Sequence, residues 1–379
     1  MRFTSSLNMF LRLSLFTQPL FAQQDTIILD KSSGNYSVFY KGTVTLAKDS
    51  AGNLRRLSRD DELRLGETVI EKDSVFSTIF EPGTKIKPEI KCSVAKSHGG
   101  ELVFHYEAQN GSTSQQSLAS IIVEFGDVSG LRAESENGWN NGRMMEPGGE
   151  KLSNRWDWFP AGKKAKAIEP GNNLGGYKLI ALSQVKIGRA FLQGRKKINP
   201  RFFGGIPTGE VGKQISRLQV FPANYVIVPT IVPNSFEHIF LGTFLDTLLS
   251  YTRQSAELGW LGRSRDDNCD DEERPDDGIT KNIEKRLEKA KKELSKGDST
   301  KARKELEKLV DKVERIWKRS QDEEKKHKGE QRERKEDVIM TGEAYALLLY
   351  NTEYLIDRLP DGKEKKGEKQ KKGGDKDDD

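Results

Sequence analysis

Between about Tyr36 and Pro233, apolar residues recur at every second position in short runs, and Gly, Pro, Asn and Asp separate the runs. Leu102, Phe104 and Tyr106 alternate with Val103, His105 and Glu107, and Ile90, Cys92 and Val94 repeat the pattern. A period of two places one set of side chains on each face of a pleated strand. Further strands are predicted at 38–46, 68–80, 118–125, 177–182, 189–193, 217–221 and 225–232. Short strands with turn signals at this spacing predict an antiparallel β-sandwich over residues 36–235. No stretch alternates strand with helix, which argues against a nucleotide-binding α/β fold.

Past residue 241 the period changes. Ile283, Leu287, Ala290 and Leu294 fall three or four apart, with Lys and Glu on the other faces. Gly297 ends that helix, and Asp298, Ser299 or Thr300 can cap the next, whose stripe is Ala302, Leu306, Leu309, Val313 and Ile316. Two such helices bury one stripe each and need partners. The partners are predicted on either side. Phe244, Leu248, Tyr251, Ser255 and Leu258 make one face. Tyr345, Leu348, Leu349, Thr352, Leu355, Ile356 and Leu359 make another, with Thr341 as N-cap and Pro360 as the stop. The expectation is a multidomain chain: an N-terminal antiparallel β-sandwich and a C-terminal all-α, four-helix bundle over residues 241–360 with a core of its own.

Several segments of that helical region carry a family resemblance. They are Leu258-Gly259-Trp260, Gly278-Ile279 opening a helix, Lys296-Gly297-Asp298, Thr341 with Glu343-Ala344-Tyr345, and Asn351-Thr352-Glu353-Tyr354-Leu355-Ile356. Together they resemble the FIMAH module, a short helical domain at the C-terminal ends of secreted bacterial proteins. The resemblance covers roughly residues 241–360 and departs at two charged insertions, near 262–277 and 318–337. It implies an accessory or interaction role and carries no catalytic residues. The turn Ile168-Glu169-Pro170-Gly171 followed by Leu174-Gly175-Gly176-Tyr177 weakly resembles a pattern in exported bacterial sandwich domains.

Arg2, an apolar run from Met9 to Phe21 broken by Arg12 and Gln18, and Leu20 and Ala22 ahead of Gln23 have the form of a signal peptide over 1–22. The expected location is therefore secreted or cell-surface, with a polar linker at 23–35. No other run approaches the roughly 18 apolar residues that a membrane-spanning helix needs. The 63 basic and 58 acidic residues nearly cancel and are interleaved, which disfavours nucleic acid as a partner. Residues 361–379 hold Lys, acids and Gly with no apolar side chain, and are expected to be a disordered charged tail. Cys92 and Cys269 are the two cysteines, and no CxxC or CxxH spacing supports a metal site built on them.

Candidate chemistry is sparse. His98, His105, His238 and His327 form no ligand-pair motif, and no GxSxG elbow is present. The run GGIPTGEVGK at 204–213 lacks the Ser or Thr that a phosphate loop needs after its Lys. Asp266, Asn268, Asp270 and Asp277 stand at positions one, three, five and twelve of a calcium-loop spacing. Asp271 occupies the turn position that requires Gly, so a solvated acidic loop is favoured over calcium, and no cofactor is expected. The aromatic, Gly-rich segment 137–176 reads as a long excursion between strands. In it Trp139, Trp156 and Trp158, with Tyr177, form a candidate stacking platform for a sugar ring, and Asn140, Asn141 and Asp157 are polar partners. Trp139 is expected to be exposed, and Trp156 and Trp158 to face the core. The reading is an exported, non-catalytic binding or adhesion protein whose partner is a glycan or cell-surface component. Its alternatives are a secreted hydrolase with an unrecognised site and a purely structural surface protein.

Overall fold

The computed structural model describes residues 26–57, 61–136, 138–145, 152–161, 165–196, 209–219, 221–235, 239–262, 277–327 and 340–360. The chain divides into two compact units, residues 1–83 with 196–224, and residues 84–195 with 225–379. These units do not follow the division at 36–235 and 241–360 drawn from periodicity. The described strands up to Phe80 belong to a sheet of their own, and the helical region shares a unit with the remaining strands.

In the first unit, β2 (Asn35–Lys48) pairs antiparallel with the whole of β4 (Thr68–Phe80) from Tyr36 onward. The short strands β1 (Thr26–Asp30) and β3 (Leu54–Arg56) also pair with β2. Helix α1 (Gly209–Gln219) covers this sheet, burying Val211 and Ile215 against Val38, Tyr40 and Phe80. This corrects the strand expected at 217–221. Val211, Ile215 and Leu218 are four and three apart, so one helical face collects all three, whereas a strand would turn Ile215 and Leu218 to opposite sides.

The second unit holds two antiparallel sheets around one core. The first runs β13-β12-β7-β10-β9, from β13 (Val226–Asn234), β12 (Gln184–Gly194), β7 (Leu118–Glu124), β10 (Leu152–Phe159) and β9 (Asn140–Met145). The second runs β5-β6-β11-β8, from β5 (Pro88–Lys96), β6 (Leu102–Asn110), β11 (Asn173–Ala181) and β8 (Arg132–Ser135). Phe104, Tyr106, Tyr177 and Leu179 of one sheet meet Ile121, Val123, Trp158 and Leu192 of the other. The Tyr106 hydroxyl donates to the Ile231 carbonyl at 3.0 Å, so the core residue satisfies its polar tip on the facing sheet. The segment read as an excursion at 137–176 is in large part sheet: β10 is an interior strand, paired with β7 on one side and β9 on the other.

Helices α2 (Leu241–Glu257), α3 (Asp277–Ser295), α4 (Ser299–His327) and α5 (Gly342–Asp357) follow. Their stripes meet as expected: Ile283, Leu287, Ala302, Leu306, Leu309 and Val313 are buried together with Leu248 and Leu348. Thr341 accepts from the Ala344 N–H and caps α5, while Gly297 takes a φ of +77° at the end of α3, a conformation that costs glycine least. The Thr341 N–H donates to Trp260 O at 2.8 Å, which ties the end of α2 to the start of α5.

The helices do not keep a core to themselves. Ala346 and Leu347 of α5 belong to the core of the two sheets, and Ala344, Leu348 and Leu355 to that of the helices. Helix α5 is apolar nearly all round, which is what burial on two sides requires. Its polar side chains complete the sheet edges. Asn351 accepts from the Val185 N–H at 3.1 Å and donates to the Val185 carbonyl at 2.7 Å, standing in for a neighbouring strand. Glu343 accepts from the Cys92 N–H at 2.6 Å, and the Tyr350 hydroxyl donates to Val94 O at 3.1 Å. An unpaired strand edge invites association with other chains, and α5 covers this one. None of the described helices is long and apolar enough to cross a membrane.

Candidate functional site

The aromatic residues singled out in the sequence do come together, but inside the core. Trp139 is only 3% exposed, and Trp158 and Tyr177 are fully buried. The ring centroids of Trp139 and Tyr177 lie 5.3 Å apart, and those of Trp158 and Tyr177 5.9 Å apart, both edge to face. Each buried indole N–H is satisfied: Trp139 donates to Lys166 O at 3.1 Å and Trp158 to Glu134 O at 3.3 Å. The expectation of an exposed Trp139 is therefore corrected. It immediately precedes β9, and the neighbouring Asn and Gly residues that suggested exposure are turn and edge-strand positions around an inward ring. A saccharide cannot stack on rings that are already packed and hydrogen-bonded.

Trp156 is half-buried and packs against the same core, donating to Asn141 Oδ1 at 3.2 Å. Asn140 and Asn141 are exposed on β9, the outermost strand of its sheet. Asp157 points to the opposite face from its two Trp neighbours, because successive side chains of a strand alternate. Asp266, Asn268 and Asp270 lie outside the described residues, as does Cys269; Asp277 opens α3. Among the described residues no group of His, Cys, Asp and Glu is placed to hold a metal ion. Cys92 is a buried free thiol, held far above its ordinary titration range by burial and, next, by the charge of Glu343. A thiol so placed is unreactive.

The face of the β13-β12-β7-β10-β9 sheet turned away from Trp158 carries polar groups at one end and the buried Ile122 and Phe191 beside them. Register sets Arg155 of β10 and Arg189 of β12 on either side of Glu124 of β7. Arg155 donates through Nε and Nη2 to Glu124 Oε1 at 3.3 and 3.2 Å; Arg189 donates to Oε2 at 3.1 and 2.5 Å. One carboxylate thus orients two guanidinium groups, leaving the cluster positive. Farther along the same face, Ser120 donates to Asp157 Oδ1 at 3.0 Å. Burial pushes the Asp157 carboxyl up to about 6, against the smaller opposing effect of the Ser120 hydrogen bond.

That shift predicts a pH dependence. The folded value lies above the unfolded value near 3.8, so folding favours the protonated acid. The contribution of Asp157 to stability is complete below pH ~4 and is lost as pH rises through about 6. Asp157→Asn should raise stability by about 3 kcal/mol at pH 8. Urea melts of both proteins should converge as pH falls toward ~4; an unchanged gap across that range would assign the effect to something other than ionisation.

Register could have located Glu124, Arg155 and Arg189 only after strand pairing was known. Each is an ordinary polar residue in an alternating strand. No family model matches this chain, and no curated protein matches it. Solved structures similar to it include the crystal structure of an uncharacterized protein from Nocardia farcinica with an immunoglobulin-like fold, 12% identical, covering 38% of this chain and 97% of that one at a TM-score of 0.23, a likeness too low to carry an argument.

Proposed function

We propose that this chain is an exported, non-catalytic binding or adhesion protein. In this reading an antiparallel β-sandwich presents a recognition face, and a FIMAH-like four-helix bundle is mounted on its edge as an accessory interaction module. The observation that carries the reading is the charged constellation on β7, β10 and β12, where Glu124 holds Arg155 and Arg189 in place. Side chains fixed by neighbours on rigid strands keep a binding surface in one geometry. The partner is a glycan or another cell-surface component, met through this face instead of through the indoles. Export rests on the signal-peptide form of residues 1–22, which lie outside the described residues.

The FIMAH-like reading draws support from where its segments fall. Leu258-Gly259-Trp260 follows α2, Gly278-Ile279 opens α3, and Lys296-Gly297-Asp298 joins α3 to α4. Glu343 and Asn351, both within matched segments, are the side chains that hold α5 on Cys92 and Val185.

The test is an array of immobilised neutral and acidic polysaccharides probed with the full chain, with the bound material recovered and sized. Saturable binding with the ligand intact is expected. Release of shortened products would move the assignment to a secreted hydrolase. Absence of saturable binding across the array would leave a structural surface protein.

A further inference from the structure

Beside the Glu124 cluster a cleft of about 560 Å³ opens, lined in part by Glu124, Phe125, Asn154, Lys186, Gly188 and Arg189. Three strands or their ends supply these residues, and packing fixes their approach. A side chain at Gly188 would bring its Cβ within 2.6 Å of Val232, so β12 lies where only glycine fits and carries Lys186 and Arg189 to the rim. Phe125 is almost wholly buried and forms an apolar wall.

The charges in this cleft do not balance. Glu124 already serves Arg155 and Arg189, through one oxygen each. The Lys186 ammonium is half-buried in the same cleft and has no hydrogen-bond or ion-pair partner among the described residues. Burial lowers its proton affinity, attraction to Glu124 raises it, and repulsion from Arg189 lowers it again. A half-buried ammonium whose nearby carboxylate is already bonded to two guanidinium groups is only partly compensated for its burial. A ligand that brings negative oxygen atoms to Lys186 and to the outer edge of Arg189 would complete that compensation.

We propose that this cleft is an oxyanion site, taking a carboxylate or sulfate group such as an acidic saccharide carries. Glu124 is a positioning residue here, since it aims the guanidinium groups and does not meet the ligand. Lys186 and Arg189 make the contacts, Asn154 offers an amide at the rim, and Phe125 walls one side. The proposal rests on the binding reading above and narrows its partner to an acidic one.

Calorimetric titration of the full chain tests it, with sodium sulfate, a uronate oligosaccharide and the corresponding uncharged oligosaccharide as probes. Sulfate and uronate should bind saturably and the uncharged probe should not. Lys186→Met, which keeps the apolar stem, and Arg189→Gln should each weaken binding by roughly tenfold or more while thermal melts stay unchanged. Added sodium chloride should weaken it as well. Sulfate binding alone would retain the site and make a free inorganic oxyanion its ligand. The assignment is overturned if neither charged probe saturates, or if both substitutions leave binding untouched. Capture of neutral polysaccharide on the array, with no oxyanion binding in solution, would remove this cleft and leave the binding reading standing.

Discussion

Trp158→Ala is expected to cost about 3–5 kcal/mol of stability, the largest single effect in the second unit. The indole is fully buried between the two sheets, packing on Tyr106 at a centroid distance of 6.1 Å and on Tyr177 at 5.9 Å. Truncation removes the transfer energy of a large ring and leaves a cavity that two hydrogen-bonded sheets cannot close. It also leaves the Glu134 carbonyl without its indole donor. Chemical denaturation should show the loss as a lower midpoint at unchanged slope. Trp139→Ala belongs to the same class, for the same reason, though that ring sits at the edge of the cluster. An effect below ~1 kcal/mol at Trp158 would mean the ring is solvent-accessible, and would return it to the list of ligand contacts.

Asn351→Leu should cost about 2–4 kcal/mol, although it exchanges a polar side chain for an apolar one of similar size inside a core. Both the N–H and the carbonyl of Val185 are satisfied by this one amide, and Asn351 is fully buried. Removing it strands a donor and an acceptor where water does not reach, and each orphan costs about 1–3 kcal/mol. Asn351→Asp is the discriminating companion. Its carboxylate can accept from the Val185 N–H but faces the Val185 carbonyl with negative charge, so it should be no better tolerated than Leu. If the amide merely fills space, Leu will be neutral. If it closes the strand edge, both substitutions will lower the melting midpoint, and amide exchange at Val185 will speed up in each.

Much of the architecture is written in local periodicity. The alternation at Leu102, Phe104 and Tyr106 predicts a half-buried strand, and β6 buries those three side chains. The stripes at Ile283, Leu287 and Ala290 and at Ala302, Leu306 and Leu309 predict two packed helices, and all six residues are buried together. Turn chemistry reads equally well, with Gly297 at a positive φ and Thr341 as an N-cap. These features depend on residues within one or two turns of each other, so a local pattern contains them. Local composition misled at 217–221, read as a strand, where Leu218 instead completes a helical face begun by Val211 and Ile215. It misled again at Trp139, whose Asn and Gly neighbours describe the edge and turn positions around it and not the direction of its ring.

What the sequence determined alone, then, is which segments pleat, which coil, and which face of each is apolar. Tertiary structure decided the partners. Nothing in the order of residues says that Asn351 will replace a strand neighbour for Val185, 166 positions away. Nor does it say that α5 will divide its apolar surface between two cores. The same holds for the charged face, where Glu124, Arg155 and Arg189 come from three strands and meet only because β10-β7-β12 pairing brings them into register. Periodicity specifies a face with an energy that any complementary surface can satisfy. Pairing is selected by the sum of burial and backbone hydrogen bonds over the whole unit, a quantity that no local window contains.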